Sequence, residues 1–326
     1  MKTSKKIIEY IGRNGHVAGS ELADYLGITS RAVRKQLKAL QDSGQITKSG
    51  TPPKVYYSIA AAPAAPHSND GSLIDASILR IIKDNFLYIT PRGTTQEGWG
   101  GFAYWCQEQK LDPAKTAFRY RKTMNEYGQY KKHGLIDGMY KLKTSFDDVA
   151  LDEIYYIDFY STEIFGKTKL GQLLLFAKQS QDRKLINDIA DRIKPGVLQV
   201  LQQYDIDGIG FIPPTVKREL QLVRQIQKRL NLDKRTLSIN KIRTPVVVPQ
   251  KTLSKLTDRI INARETITVT DTGKYHNILL IDDAVGSGAT LNETARKIRQ
   301  KGICDGQIIG LAITGSYKGF EVISEV

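Results

Sequence analysis

Apolar residues along the first part of the chain fall at helical spacing and then at strand spacing. Ile7, Ile8 and Ile11 share one helical face, and Gly15 closes that stretch. A short second helix runs from Gly19-Ser20 through Glu21-Leu22-Ala23 to Leu26-Gly27. A third starts after Thr29 or Ser30, either of which suits an N-cap, carries Val33, Leu37 and Leu40 on one face, and ends at Gly44. Ile46-Thr47-Lys48, a Gly50-Thr51-Pro52-Pro53 turn and Val55 to Ile59 read as a two-stranded hairpin.

Residues 59–72, rich in Ala and Pro, offer nothing to bury and read as a linker. Residues 73–152 read as a mainly helical region. Within it lie a Gly98 to Trp105 cluster of glycines and aromatics and a stretch interleaving Lys115, Arg119, Arg121, Lys122, Tyr127, Tyr130, Lys131 and Lys132. Such interleaving suits stacking on nucleic-acid bases, but it more often packs a small helical domain. From 153 to 326 apolar strands (Ile154 to Tyr160, Gly208 to Ile212, Ile278 to Ile281, Gln307 to Thr314) alternate with helices (Leu170 to Lys178, Lys184 to Tyr204, Lys217 to Leu230, Leu291 to Lys301). That alternation predicts a mostly parallel sheet covered on both faces. The chain is thus multidomain: an α+β unit over 1–58, a linker, a helical middle region and a C-terminal α/β unit.

The length of 326 residues fits two or three domains. Two cysteines, Cys106 and Cys304, lie too far apart for a zinc ribbon or a disulfide framework. No apolar signal core and no stretch of membrane-span length is present, so no membrane partner and a cytoplasmic location are expected. The net charge of +14 points to polyanionic partners. Residues 1–58 hold ten basic against four acidic residues, a net +6.

Three helices, a glycine corner and a basic hairpin resemble a winged helix-turn-helix over residues 1 to about 58. The resemblance implies DNA or other nucleic-acid binding, with Ser30, Arg31, Arg34, Lys35 and Lys38 on the recognition helix and Lys48 and Lys54 on the wing. The remaining alternative is a winged helix used for protein contacts alone.

The sharpest motif is Ile278-Leu279-Leu280-Ile281-Asp282-Asp283-Ala284-Val285-Gly286-Ser287-Gly288-Ala289-Thr290. A buried strand ends in two carboxylates, a small-residue loop follows, and a helix starts behind it. Paired carboxylates suit vicinal ribose hydroxyls, and glycines with free helix N-terminal amides suit a phosphate. A Rossmann motif would place its acid about 20 residues after the glycines, and a Walker A loop needs a Lys after the second glycine; neither holds here.

The motif resembles the signature that type I phosphoribosyltransferases use for phosphoribosyl pyrophosphate (PRPP). Arg243, Gln250, Leu253, Arg259, Asn262 and Ala263 are similar in spacing to the ComF-type branch, around its mobile loop. Two departures stand out: that branch's cysteine zinc ribbon is missing, and Lys217-Arg218-Glu219-Leu220 replaces its Arg-Gly-Phe-Asn. The resemblance implies a C-terminal phosphoribosyltransferase fold in which Asp282 and Asp283 serve catalysis. Gly286, Ser287, Gly288, Ala289 and Thr290 would hold the 5-phosphate. Thr215, Lys217 and Arg218 would form the pyrophosphate loop, and Arg243, Gln250 and Arg259 the mobile loop. It also implies Mg²⁺ bridged by PRPP, with no protein ligand assigned. Three functions follow as expectations: transfer or removal of a phosphoribosyl group; sensing of PRPP or a nucleotide by a DNA-binding regulator, as in the analogous purine operon repressor family; or a nucleotide-targeting toxin or defence effector restrained by a nucleic-acid-containing partner. Self-association and a protein–nucleic-acid complex both stay open.

Overall fold

The computed structural model describes residues 3–60, 74–216, 218–242, 245–246 and 248–317, apart from the side chains of Thr51 and Lys251. Most of the expected linker, with the expected site residues Lys217 and Arg243, lies outside the described residues. The chain divides into two compact units, Met1–Asp70 and Gly71–Val326.

The first unit contains α1 (Thr3–Asn14), β1 (Val17–Ala18), α2 (Gly19–Leu26), α3 (Ser30–Asp42), β2 (Ile46–Thr51) and β3 (Lys54–Ile59). Ile7, Ile11, Val17, Leu22, Val33, Leu37, Leu40 and Ile46 form its core. Gly27, at φ 62°, closes α2 in a conformation that favours glycine. Thr29 caps α3, its hydroxyl accepting from the Ala32 amide at 3.3 Å, so Ser30 is the first helical residue. The hairpin gains a third strand, because β1 pairs antiparallel with β3. Two residues are too short a run to show strand periodicity in the sequence.

The second unit runs α4 (Ala76–Asn85), β4 (Leu87–Ile89), β5 (Thr95–Glu97), α5 (Gly98–Glu108), α6 (Pro113–Gly128), β6 (Lys131–Lys132), β7 (Leu135–Asp137), α7 (Met139–Ser145), β8 (Glu153–Phe159), β9 (Ser161–Thr162) and β10 (Gly166–Lys167). It continues with α8 (Lys169–Ser180), α9 (Arg183–Gln203), β11 (Gly208–Phe211), α10 (Leu222–Leu230), β12 (Arg235–Thr236), β13 (Ile239–Lys241), α11 (Leu256–Thr266), β14 (Ile267–Val269), β15 (Ile278–Val285), α12 (Ala289–Gln300) and β16 (Ile308–Gly315). A seven-stranded sheet has the order β12-β11-β15-β16-β8-β7-β6. The five strands from β12 to β8 are parallel, while β7 and β6 add antiparallel at one edge.

The helical middle region therefore does not stand apart: its last strands complete the α/β sheet. Some of its aromatics pack inward, with Phe86, Phe102, Cys106 and Tyr120 buried and Trp99 and Trp105, together with Phe165 from beyond the region, against them. At Gly101 a Cβ would come within 2.5 Å of the Gln96 carbonyl carbon, so α5 and β5 touch backbone to backbone.

Alternation along β15 sends Ile278 and Leu280 to one core, with Leu291, Ala295 and Ile298 of α12. Leu279 and Ile281 go to the other, with Leu173 and Leu174 of α8 and Ile186 and Ile193 of α9. Three boundaries differ from those the sequence predicts. β15 extends through both aspartates to Val285, because pairing with β16 carries on to Val285↔Gly315. α12 starts at Ala289, two residues early. α10 starts at Leu222 and not at Lys217: the Leu220 amide is taken by the Gln181 side chain at 2.9 Å, and Pro213-Pro214 keep the preceding chain out of a helix.

Candidate functional site

A cavity of about 210 Å³ opens at the carboxyl ends of β11 and β15. The loop after β11 (Pro213 to Arg218), Lys241 at the end of β13, Gln250 and Arg259, Asp282 and Asp283, and the run Val285 to Leu291 all line it. Gly288, at φ 82°, turns the chain into α12 and leaves that helix without a side-chain cap on its first amides. The backbone there favours glycine, and a Cβ at Gly288, 2.6 Å from Leu142 Cδ1 of α7, would also make that side chain shift. The hydroxyl that accepts from a first-turn amide, among the described residues, is Ser287 Oγ, from the Ala289 amide at 3.3 Å. First-turn amides beside a small-residue loop give the arrangement of an anion cradle. The cradle is braced by Asn292 of α12, whose buried amide accepts from the Ala150 amide at 2.8 Å and donates to the Asp148 carbonyl at 3.1 Å.

Adjacent strand residues face opposite ways, and so do the two carboxylates. Asp283 shares the face of Leu279 and Ile281, toward α8, and meets Lys178 Nζ at 2.8 Å. Asp282 faces the other side, near Lys241. Burial, and next the neighbouring Asp283 carboxylate, push the Asp282 carboxyl up to about 7; its bond from the Asp283 amide and the ammonium groups of Lys178 and Lys241 work against that rise. Lys241 is pushed down by burial, with Asp282 opposing.

Arg259 and Gln250 are brought to the cavity, but mainly as brackets for their own segment. Gln250 donates to the Arg259 carbonyl at 3.0 Å and to Asn262 Oδ1 at 3.2 Å; Arg259 Nε donates to the Leu253 carbonyl at 2.8 Å. The spacing of Gln250, Leu253, Arg259 and Asn262 thus encodes a folded knot ahead of β14. Arg259 is only 5% exposed, and its Nη2 has no partner among the described residues. Thr215 and Arg218 line the cavity.

Sequence reasoning missed Lys178 and Lys241. A signal existed for the first: Lys178 follows the apolar run Leu173-Leu174-Leu175-Phe176-Ala177, where an isolated charge asks for a partner. Nothing in the sequence marks Lys241.

These residues do not suit a resident Mg²⁺. That ion demands octahedral oxygen ligation, yet Asp283 is held by Lys178, Asp282 is biased toward its neutral form, and no group of three His, Cys, Asp or Glu residues gathers among the described residues.

In the first unit, Ser30, Arg31, Arg34, Lys35 and Lys38 are exposed along α3, opposite Val33, Leu37 and Leu40, and Lys48 and Lys54 are exposed on the β2–β3 wing. Residues 3–56 match the family model of an HTH domain. The N-terminal unit is a winged helix-turn-helix domain. No curated protein matches the chain. No helix among the described residues is long and apolar enough to cross a membrane.

Proposed function

We propose that the chain is a nucleic-acid-binding regulator whose α/β unit binds PRPP or a related phosphoribosyl nucleotide, and that occupancy sets the strength of nucleic-acid binding. One observation carries the reading: a helix-turn-helix domain with an uninterrupted basic face on α3 and its wing. Four cations on one helix face fit phosphates and base edges of a duplex.

The ligand half of the proposal draws its support from the cavity. It lies at the carboxyl ends of parallel strands, where open α/β sheets bind ligands, and the loops named by the resemblance to type I phosphoribosyltransferases converge there. In this reading the amides of Gly286 to Thr290 hold the 5-phosphate. Asp282 and Asp283 accept hydrogen bonds from the ribose hydroxyls, with Lys178 holding Asp283 in place. Thr215, Arg218 and Arg259, with Lys217 from outside the described residues, take the pyrophosphate.

A second cavity of about 470 Å³ shares Ile212, Thr215, Arg218 and Lys241 with the first and adds Phe211, Gln221, Gln227 and Asn240. It favours a second reading, in which an acceptor takes the ribose C1, the C1–O bond breaks and pyrophosphate leaves. Asp282 and Asp283 then stabilise the cationic sugar.

The test is fluorescence anisotropy of the full chain on duplexes selected from a randomised library, with and without PRPP. The regulator reading expects affinity to change at least about fivefold with PRPP, a coupling typical of allosteric proteins, and the change to vanish in Asp282→Asn/Asp283→Asn. Unchanged affinity while calorimetry records bound PRPP would sink it. Pyrophosphate release on adding candidate bases would establish transfer.

A further inference from the structure

Four cationic side chains line the first cavity: Lys178 from α8, Arg218 from the loop after β11, Lys241 from β13 and Arg259 from α11. Only two acidic ones, Asp282 and Asp283, stand against them among the described residues. The excess is built into the walls. Lys178 and Arg259 are largely buried, and a buried guanidinium with an unmet nitrogen is costly unless something anionic satisfies it. No carboxylate of the described residues pairs with Arg259; among those residues its side chain bonds the Leu253 carbonyl. Arg259 lines the cavity, so an anion held there is placed to satisfy that nitrogen.

The same geometry disfavours a metal as the intermediary. The usual task of Mg²⁺ in a phosphate site is to neutralise the ligand oxygens while resting on one or two carboxylates. Here the Lys178 ammonium already occupies the inner side of Asp283 at 2.8 Å, and Lys241 flanks Asp282. A divalent cation at either carboxylate would sit against a fixed ammonium.

We infer that this cavity binds its diphosphate-bearing ligand without a divalent metal, with Lys178, Lys241, Arg218 and Arg259 supplying the charge that magnesium supplies elsewhere. The ligand class is an organic or inorganic diphosphate; that it is PRPP rests on the proposal above. Because Lys178 blocks one carboxylate, its removal turns the site toward a metal-dependent one.

The experiment is calorimetric titration of the full chain with PRPP and, separately, with inorganic pyrophosphate, each in EDTA and in excess Mg²⁺. Binding of pyrophosphate in EDTA is expected, with a Kd within about threefold of its value in Mg²⁺. Arg218→Gln, on a half-buried loop, should weaken binding in EDTA about tenfold, one charge-assisted hydrogen bond's worth. Arg259→Met should do at least as much, with thermal melts to check its fold. Lys178→Met should bind more tightly in Mg²⁺ than in EDTA. Binding of either ligand that requires Mg²⁺ in the wild type overturns the inference and leaves the phosphoribosyl reading standing. Metal-free binding of pyrophosphate with none of PRPP upholds the inference and removes that reading. No binding of either ligand in either buffer removes both.

Discussion

Replacing Lys178 with Met exposes how the carboxylate pair is balanced. Lys178 Nζ lies 2.8 Å from Asp283 Oδ2, with the two side chains 11% and 19% exposed. At an effective dielectric of ~20, attraction at that separation is about 6 kcal/mol. Removing both ions from water consumes most of this, so the intact pair contributes little net stability. Losing one partner is different: the carboxylate stays where the strand alternation puts it, against the α8 face, without compensation. The expected loss is about 3 kcal/mol at pH 8, the lower end for a broken buried pair because Asp283 keeps some contact with water. The sign with pH is definite. In the variant the stranded carboxylate binds a proton more readily in the folded than in the unfolded chain, so the loss shrinks toward about 1 kcal/mol near pH 5. Urea unfolding followed by tryptophan fluorescence isolates the effect, because both tryptophans, Trp99 and Trp105, lie in the second unit. Lys178→Met/Asp283→Leu should recover most of the loss, giving a coupling of at least ~2 kcal/mol in a double-mutant cycle. A loss below about 0.5 kcal/mol at pH 8, or one that is the same at both pH values, would refute the reasoning.

Three further outcomes are expected. Asp282, raised to about 7 in the folded chain against roughly 4 when unfolded, makes the folded state bind more protons between those values. Stability should therefore fall as pH rises through that window, and Asp282→Asn should flatten the slope in the same urea experiment. Gly288→Ala combines φ 82° with a 2.6 Å approach to Leu142, so it should cost roughly 1–3 kcal/mol in thermal unfolding and weaken phosphate-ligand binding; an unchanged melt would show that the turn relaxes. Arg34→Ala and Lys38→Ala should each lower nucleic-acid affinity across sequences and reduce the salt slope by about 1, read by anisotropy at several salt concentrations; a slope that does not move would put α3 away from the phosphates.

Local patterning determined much of this protein. The 3.6-residue spacing of Ile7, Ile11, Val33, Leu37 and Leu40 was enough to predict α1 and α3 of the first unit, and the apolar runs at 154–160, 208–212, 278–281 and 307–314 were enough for four of the five parallel strands. The turn at 286–290 was readable because small residues between a strand and a helix carry their own conformational demand. Other features depended on partners distant in the chain. Strand pairing with β16, not any residue near 282, carried β15 through the aspartates to Val285. The edge strands β6 and β7 are too short to signal themselves, and only the sheet they complete makes them strands. The aromatic and basic run at 98–132 has a composition compatible with base stacking or packing; Phe102 and Tyr120 are buried in one cluster with Trp105 partly buried against it, so these rings pack, while Phe118 and Tyr130 stay exposed. Lys178 and Lys241 became site residues only when α8 and β13 folded against the two faces of β15. Alternation along a strand is local and readable, but which charge waits on each face is a property of helices and strands tens of residues away.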